Sequence, residues 1–263
     1  MTTDDRHEVA YDDIYGLLEA VWGEGYLSPG GPQEIALLLH GVDLTGREVL
    51  DVGCGVGGID LLLAREYGAQ RVVGIDVDEA LVQQALARGT KAGLSDRVTF
   101  LAVAPGPLPF PANSFDVVFS KDSILHIADK EGLFREVCRV LRPGGLFVAS
   151  DWMSSGDDPP SPAMQRYLDL EGLGFGLCSA ERSVRAMEAA GLTRIVTRDR
   201  QAWYRDLAHQ EVARLSGPLY ADLAARMDRA VLDREIAVWR AMLVVLDSGE
   251  LRPGHLRGYK SAA

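Results

Sequence analysis

The chain is poor in the features that would tie it to a secreted, membrane or nucleic-acid-binding life. Its three cysteines in 263 residues, Cys54, Cys138 and Cys178, are an odd number without metal-ligand spacing, which argues against a disulfide framework and a zinc site alike. No metal is expected. No apolar run approaches the roughly 18 residues of a membrane span. The acidic opening MTTDDRHEVA lacks the basic stretch and apolar core of a signal peptide, so a cytoplasmic location without membrane contact is predicted. Positive charge is also scarce. Lys and Arg number 27 against 38 Asp and Glu, a net charge of -11, and no basic stripe with interleaved aromatics offsets it. Nucleic acid is therefore disfavoured and a small-molecule partner favoured. Low-complexity tracts and internal repeats are missing, while 47% hydrophobic and 25% charged residues match a folded globular chain. This length suits one α/β domain with an insertion.

Val9, Tyr11, Ile14, Tyr15, Leu18, Val21 and Trp22 fall at helical spacing. A glycine-rich break over 23–31 then leads to a second helix near Pro32. From Glu48 the pattern alternates short β-rich runs with helical stretches: VLDVG, helix 57–67, RVVGIDV, helix 78–92, VTFLAV, FDVVFS, helix 129–141 and LFVASD. Alternation of this kind predicts a parallel sheet covered on both faces. Helices follow at 163–173 and 179–190, then a strand at 193–197, long helices through Leu246 and a last strand near Leu256–Tyr259. The helices of 201–248 read as a lid inserted between the last two strands. The expected division is a single domain with a helical cap at 1–46, a cofactor-binding core at 47–151, substrate-side helices and lid at 152–250 and a final-strand segment at 251–263.

The segment DVGCGVGG, from Asp51 to Gly58, ends a buried strand and opens a helix. Its glycines let backbone pass close beneath a ligand that faces helix N-terminal N–H groups. The second strand ends in GIDVD, placing Asp76 to accept both hydroxyls of a ribose. Gly53, Gly55 and Gly58 also satisfy the GxGxxG fingerprint, so a nicotinamide cofactor stays open on these residues alone. Asp51 ahead of the glycines, LPFPANSFDVVFS (Leu108–Ser120) and LRPGGLFVASD (Leu141–Asp151) together resemble the motifs of class I S-adenosylmethionine-dependent methyltransferases. That resemblance implies a Rossmann-like α/β fold, with a mostly parallel seven-stranded sheet and an antiparallel last strand, that binds S-adenosylmethionine. It places Asp51, Gly53, Gly55, Asp76, Val77 and Ser120 around the cofactor. Ala104 and Pro105 stand where many relatives carry an acidic residue for the adenine amine, so backbone or Ala104 itself would make that contact.

WGEGYLSPGG (Trp22–Gly31), SKDSILHI (Ser120–Ile127), SDW (Ser150–Trp152) and LRPGHLRGYK (Leu251–Lys260) resemble a narrower group, the phosphoethanolamine and the sarcosine and dimethylglycine N-methyltransferases. The resemblance implies that Tyr26, Ser28 and Gly30 close over the cofactor and that His126, with Tyr11 or Tyr15, lines the methyl-transfer site. Tyr11 is the favoured partner. A Tyr–His pair has a chemical reason to be there, because an amine must lose a proton before it attacks; a structural histidine is the competing reading. Asp122 could orient the amine, act as the base or cap the following turn. Arg252, His255, Arg257 and Lys260 could form an anion site with Arg240, or a solvated edge strand. Glu171 stands where a phosphobase enzyme is expected to carry a basic residue, and a carboxylate would sooner meet an ammonium. Trp152, Tyr167, Trp203 and Tyr204 are candidate aromatic contacts for a methylammonium or an apolar acceptor. The predicted activity is N-methylation of a small amine of the phosphoethanolamine, sarcosine or dimethylglycine kind by in-line methyl transfer. The alternative is C- or O-methylation of a prenyl or polyketide-type compound with Asp122 or Glu171 as base.

Overall fold

A computed structural model describes residues 14–262. Helix α1 occupies 14–22 and α2 spans Gly31–Leu38. The core then alternates: β1 Glu48–Val52, α3 Gly58–Arg65, β2 Arg71–Asp76, α4 Glu79–Lys91, β3 Val98–Ala102, β4 Phe115–Lys121, α5 Lys130–Val140 and β5 Leu141–Ser154. Helices α6, Pro162–Glu171, and α7, Ala180–Ala189, precede β6, Leu192–Asp199. The inserted helices are α8, Gln201–Leu215, α9, Pro218–Leu223, and α10, Arg229–Asp247; β7, Leu251–Lys260, follows them. Several helices start where a short polar side chain takes up an otherwise unpaired N–H. Asp78 accepts from Ala80 and Leu81, Asp129 from Gly132, Ser161 from Met164 and Ser179 from Arg182.

The seven strands are ordered β3-β2-β1-β4-β5-β7-β6. β1 to β5 pair in parallel, whereas β7 runs antiparallel to both β5 and β6. Central strands carry unbroken apolar runs, such as Val72–Val73 in β2 and Val117–Phe119 in β4, because both faces are covered. Ile35, Leu38, Leu63, Val82 and Ala85 pack one face; Phe134, Val137, Val140 and Met187 pack the other. A third core, with Leu17, Val21, Tyr204, Leu232, Trp239 and Val245, joins α1 to the inserted helices. The strand order reverses between β1 and β4, which opens a crevice at their carboxyl ends.

One boundary differs from expectation: Trp152 lies within β5 instead of following it, while β7, Leu251–Lys260, falls inside the expected 251–263 segment and reaches back beyond the Leu256–Tyr259 run. Ser154 pairs with Leu251 and Trp152 with Pro253, so each strand extends the other. The charged residues of LRPGHLRGYK hide that length from an apolarity pattern.

Candidate functional site

Gly53, Gly55 and Gly57 all have positive φ, at 82°, 52° and 79°, so the turn after β1 follows a path that side chains rarely allow. A Cβ on Gly53 would lie 1.7 Å from Ser123 Oγ, and one on Gly55 would lie 3.2 Å from Leu27 Cδ1. The loop of residues 23–31 crosses this turn so closely that a Cβ on Gly58 would meet the Gly25 carbonyl oxygen at 2.1 Å. Arg88 of α4 tethers that loop through Glu19 at 2.7 Å and Glu24 at 3.2 Å, and Glu19 also accepts from Gly25 N.

Asp76 at the end of β2 accepts from Gly55 N at 2.9 Å and from Asp78 N at 3.0 Å. Val77 beside it is 62% exposed, and Ala104 is also exposed, leaving an apolar rim next to the carboxylate. Asp51 is buried, with Oδ1 lacking a hydrogen-bond partner. Desolvation first, then the charge of Asp76, pushes its pKa up to about 8. Desolvation and the neighbouring Asp51 raise Asp60 well above the carboxylate range too. These orphaned buried oxygens, a glycine cradle with no space for side chains and a free-rimmed carboxylate at the second strand end fit a nucleoside with an attached cationic chain.

The other half of the crevice is built on β4 and α6. His126 lies in a 3-10 turn, Ile124–His126, and its ring centroid is 5.1 Å from that of Phe175. Phe175 stands 6.2 Å from Tyr167. Gly176 N donates to the Leu125 carbonyl at 2.7 Å, holding residues 172–177 over the turn. Desolvation lowers the His126 pKa below the usual imidazole value, partly opposed by a hydrogen bond to the Leu173 backbone. Burial, then the neighbouring Glu235, lifts Glu171 to about 7. Phe175, Met164, Leu168 and Leu177 line one side of a cavity of about 370 Å³ whose remaining wall is polar, with Asp157, Asp158, Arg182 and Glu250.

A family described as "Methyltransferase domain" matches residues 50–149, the stretch from β1 to the middle of β5. A phosphoethanolamine N-methyltransferase of Triticum aestivum is 33% identical over 250 residues, 94% of this chain and 48% of the relative. The sterol 24-C-methyltransferase ERG6B of Gibberella zeae is 32% identical over 193 residues, 71% of this chain and 50% of the relative. A solved structure of Haemonchus contortus phosphoethanolamine N-methyltransferase 2, with phosphomonomethylethanolamine and S-adenosylhomocysteine, aligns with a TM-score of 0.85. It is 27% identical over 94% of this chain and 57% of that one. Residues 50–149 are a methyltransferase domain. Its fold is that of the class I S-adenosylmethionine-dependent methyltransferases. The chain spans about half the length of these two curated relatives.

Around the methyltransferase domain, several expected site residues sit elsewhere than their motifs implied. Tyr11 lies outside the described residues. Tyr15 reaches not to His126 but to Asp78, its hydroxyl 3.2 Å from Oδ2. Tyr26 is half-buried near the end of α3, where desolvation and then Glu66 raise its pKa; Leu27 is the residue that lies over Gly55, while Ser28 of the same loop is buried. Ser120 is fully buried and donates to the Val52 carbonyl at 2.7 Å, so its hydroxyl stitches β4 to β1. Asp122, at φ 51°, is paired with Lys121 Nζ at 2.6 Å, which occupies the carboxylate a base would use. Desolvation nonetheless raises its pKa.

Tyr204 is completely buried, with its hydroxyl on Glu211 at 3.3 Å and its ring 4.6 Å from Trp152. It supports the wall behind Trp152. Trp203 packs against Gly30. Neither reading of the LRPGHLRGYK cations holds: β7 lies between β5 and β6, largely buried, and is no edge strand, and the anion site does not assemble. Arg240 donates to Ser216 Oγ on the outer side of α10, in a groove with Tyr220 and Asp233. Arg252 pairs with Asp199, and His255 with Glu34 at 2.7 Å. Arg257 donates to the Leu38 carbonyl, and Lys260 to Asn113 and the Leu141 carbonyl. Each of these side chains already has a structural partner. Sequence reasoning missed Leu27, Ser123 and Asp60, whose positions only the folded glycine turn defines. It also missed Glu211, whose carboxylate accepts from Trp22 at 2.7 Å and Trp239 at 3.1 Å. Among the described residues no helix is long and apolar enough to cross a membrane, and no metal-holding group of His, Cys, Asp or Glu occurs.

Proposed function

We propose that this chain N-methylates a small, unphosphorylated aliphatic amine with S-adenosylmethionine as methyl donor. The observation that carries the reading is His126, a desolvated imidazole beside Phe175 and the α6 wall, across the crevice from the glycine turn. The cofactor would lie along Gly53 and Gly55, with its ribose hydroxyls on Asp76 and its adenine against Val77 and Ala104. It supplies an electrophilic methyl carbon on a sulfonium.

His126 does the proton work. An amine with a lysine-like pKa is protonated at pH 7 by roughly three units, which costs about 4 kcal/mol to reverse. A neutral imidazole held below its usual pKa is ready to take that proton, with Tyr11 as the relay. Tyr167, Phe175 and Trp152 wall the acceptor and exclude water, and orientation can supply on the order of 7–11 kcal/mol of the barrier. Glu171, half ionised near neutrality, favours an ammonium over a phosphate. The structural engagement of Arg252, His255, Arg257 and Lys260 and the outward Arg240 argue the same way.

The test is His126→Ala: turnover should fall at least tenfold, a floor below the roughly 10²–10⁴-fold that a general base typically contributes, while S-adenosylhomocysteine affinity stays within about twofold. Unchanged turnover removes His126 from the mechanism. A second reading, C-methylation of an apolar acceptor, is favoured by the sterol-methylating relative. In that case Glu171 would be the base.

A further inference from the structure

Three polar side chains unused by the cofactor and acceptor readings, Glu34, Arg200 and His255, meet between α2, the start of the inserted helices and β7. Glu34 is 3% exposed. It accepts from Arg200 Nε at 2.9 Å on one oxygen and from Arg200 Nη2 at 2.7 Å on the other. His255 Nε2 lies 2.7 Å from the first of these oxygens. Burial alone would raise the Glu34 pKa, but the hydrogen bonds from His255 and Arg200 outweigh it and hold the carboxyl at about 2.

The contacts continue toward the cofactor loop. The Arg200 guanidinium lies 4.3 Å over the ring of Trp203. The Trp203 edge fills the space at Gly30, where a Cβ would meet Cη2 at 2.8 Å and Glu34 Cβ at 2.6 Å. Gly30 has φ 92° and ends the loop that crosses the glycine turn. Gly30, Trp203, Arg200, Glu34 and His255 thus form one unbroken chain of contacts from the cofactor loop to the helix entering the insertion. A buried ion pair is no better than apolar packing for bulk stability. A bidentate Arg–carboxylate pair does fix the relative position of two segments.

We propose that Glu34 and Arg200 are a positioning pair that docks the first turns of α8 onto the loop of residues 23–31, so that ordering of this loop by the cofactor closes the inserted helices over the acceptor. This inference rests on the cofactor reading above. Neither residue touches the reacting atoms; they act through Trp203 and Gly30.

The experiment is amide hydrogen exchange with and without S-adenosylhomocysteine, on the wild-type protein, Arg200→Gln, Arg200→Lys, Glu34→Gln and the Glu34→Gln/Arg200→Gln double variant. In the wild type the probe should slow exchange both in 23–31 and in 201–208. In Arg200→Gln, slowing in 23–31 should persist while slowing in 201–208 weakens about tenfold, the scale of one lost charge-assisted contact. The double variant should lose no more than either single variant, because the two residues act as one unit. Arg200→Lys should recover part of the effect. If Glu34→Gln fails to fold, Arg200→Gln, at a less buried position, carries the comparison. Wild-type slowing at 201–208 retained in Arg200→Gln would overturn the pairing. Slowing confined to 23–31 in the wild type would refute the coupling and leave the cofactor assignment standing. No slowing in 23–31 at all would refute the cofactor assignment and this inference with it.

Discussion

Replacing Glu34 with Gln keeps the size of the side chain and removes the charge that Arg200 and His255 surround, so its effect on stability must change with pH in a calculable way. The carboxyl is held at about 2 in the folded chain against an ordinary value of 4.5. A folded pKa depressed below the unfolded one adds stability above the unfolded value, and that stability is lost as pH falls through the folded value. At about 1.4 kcal/mol per pH unit, the full contribution is roughly 3 kcal/mol at pH 7. At pH 3 the unfolded chain is already protonated while the folded one is not, and about 1 kcal/mol remains. Out of a typical domain stability of about 5–15 kcal/mol the larger figure is readily measured. Urea denaturation followed by circular dichroism, on wild type and Glu34→Gln at both pH values, gives the difference directly. A gap between the two proteins near 3 kcal/mol at pH 7 that narrows toward 1 kcal/mol at pH 3 is expected. A gap independent of pH would refute the reasoning, because only packing would then have been lost.

Three further outcomes follow from the site. A general base must be neutral, and desolvation keeps His126 below 6.5, so kcat/KM for the amine corrected for its own ionisation should be flat at pH 7 and fall only at lower pH; a fall beginning above pH 7 contradicts His126 as base. Gly53→Ala places a methyl 1.7 Å from Ser123 Oγ at φ 82°, so S-adenosylhomocysteine affinity by titration calorimetry should drop by at least tenfold. The further change Ser123→Ala should recover only part of that, since left-handed strain of about 1–2 kcal/mol stays. Arg240→Gln, in its outer groove with Ser216, should leave turnover within about twofold; a large loss would restore the anion site that the fold does not assemble.

The parallel core was legible because strands buried on both faces are written as continuous Val, Ile and Leu runs, and because the Asp51–Gly58 turn needs its glycines locally. The insertion was legible too, since helical spacing from 201 to 246 separates two strand-like runs. Interactions across long stretches of chain carry no such local signal. Nothing near Tyr15 points to Asp78, and nothing near Ser120 points to Val52. The cations of LRPGHLRGYK looked like one cluster because they are close in sequence. In an extended strand successive side chains point to opposite faces, and here they go to different partners. Glu34, Arg200 and His255 come together from three distant segments; in the sequence Glu34 and Arg200 read as ordinary charged residues, and His255 pointed only to its neighbours in LRPGHLRGYK.

The central claim is methyl transfer to nitrogen of an unphosphorylated amine. Incubation of the purified protein with methyl-labelled S-adenosylmethionine and a panel of phosphoethanolamine, sarcosine, dimethylglycine, simple aliphatic amines and prenyl or sterol acceptors, read by mass spectrometry, tests it directly. Label on nitrogen of an unphosphorylated amine, lost in His126→Ala, is the predicted result. Label on phosphoethanolamine alone, or on carbon of an apolar acceptor alone, would contradict it.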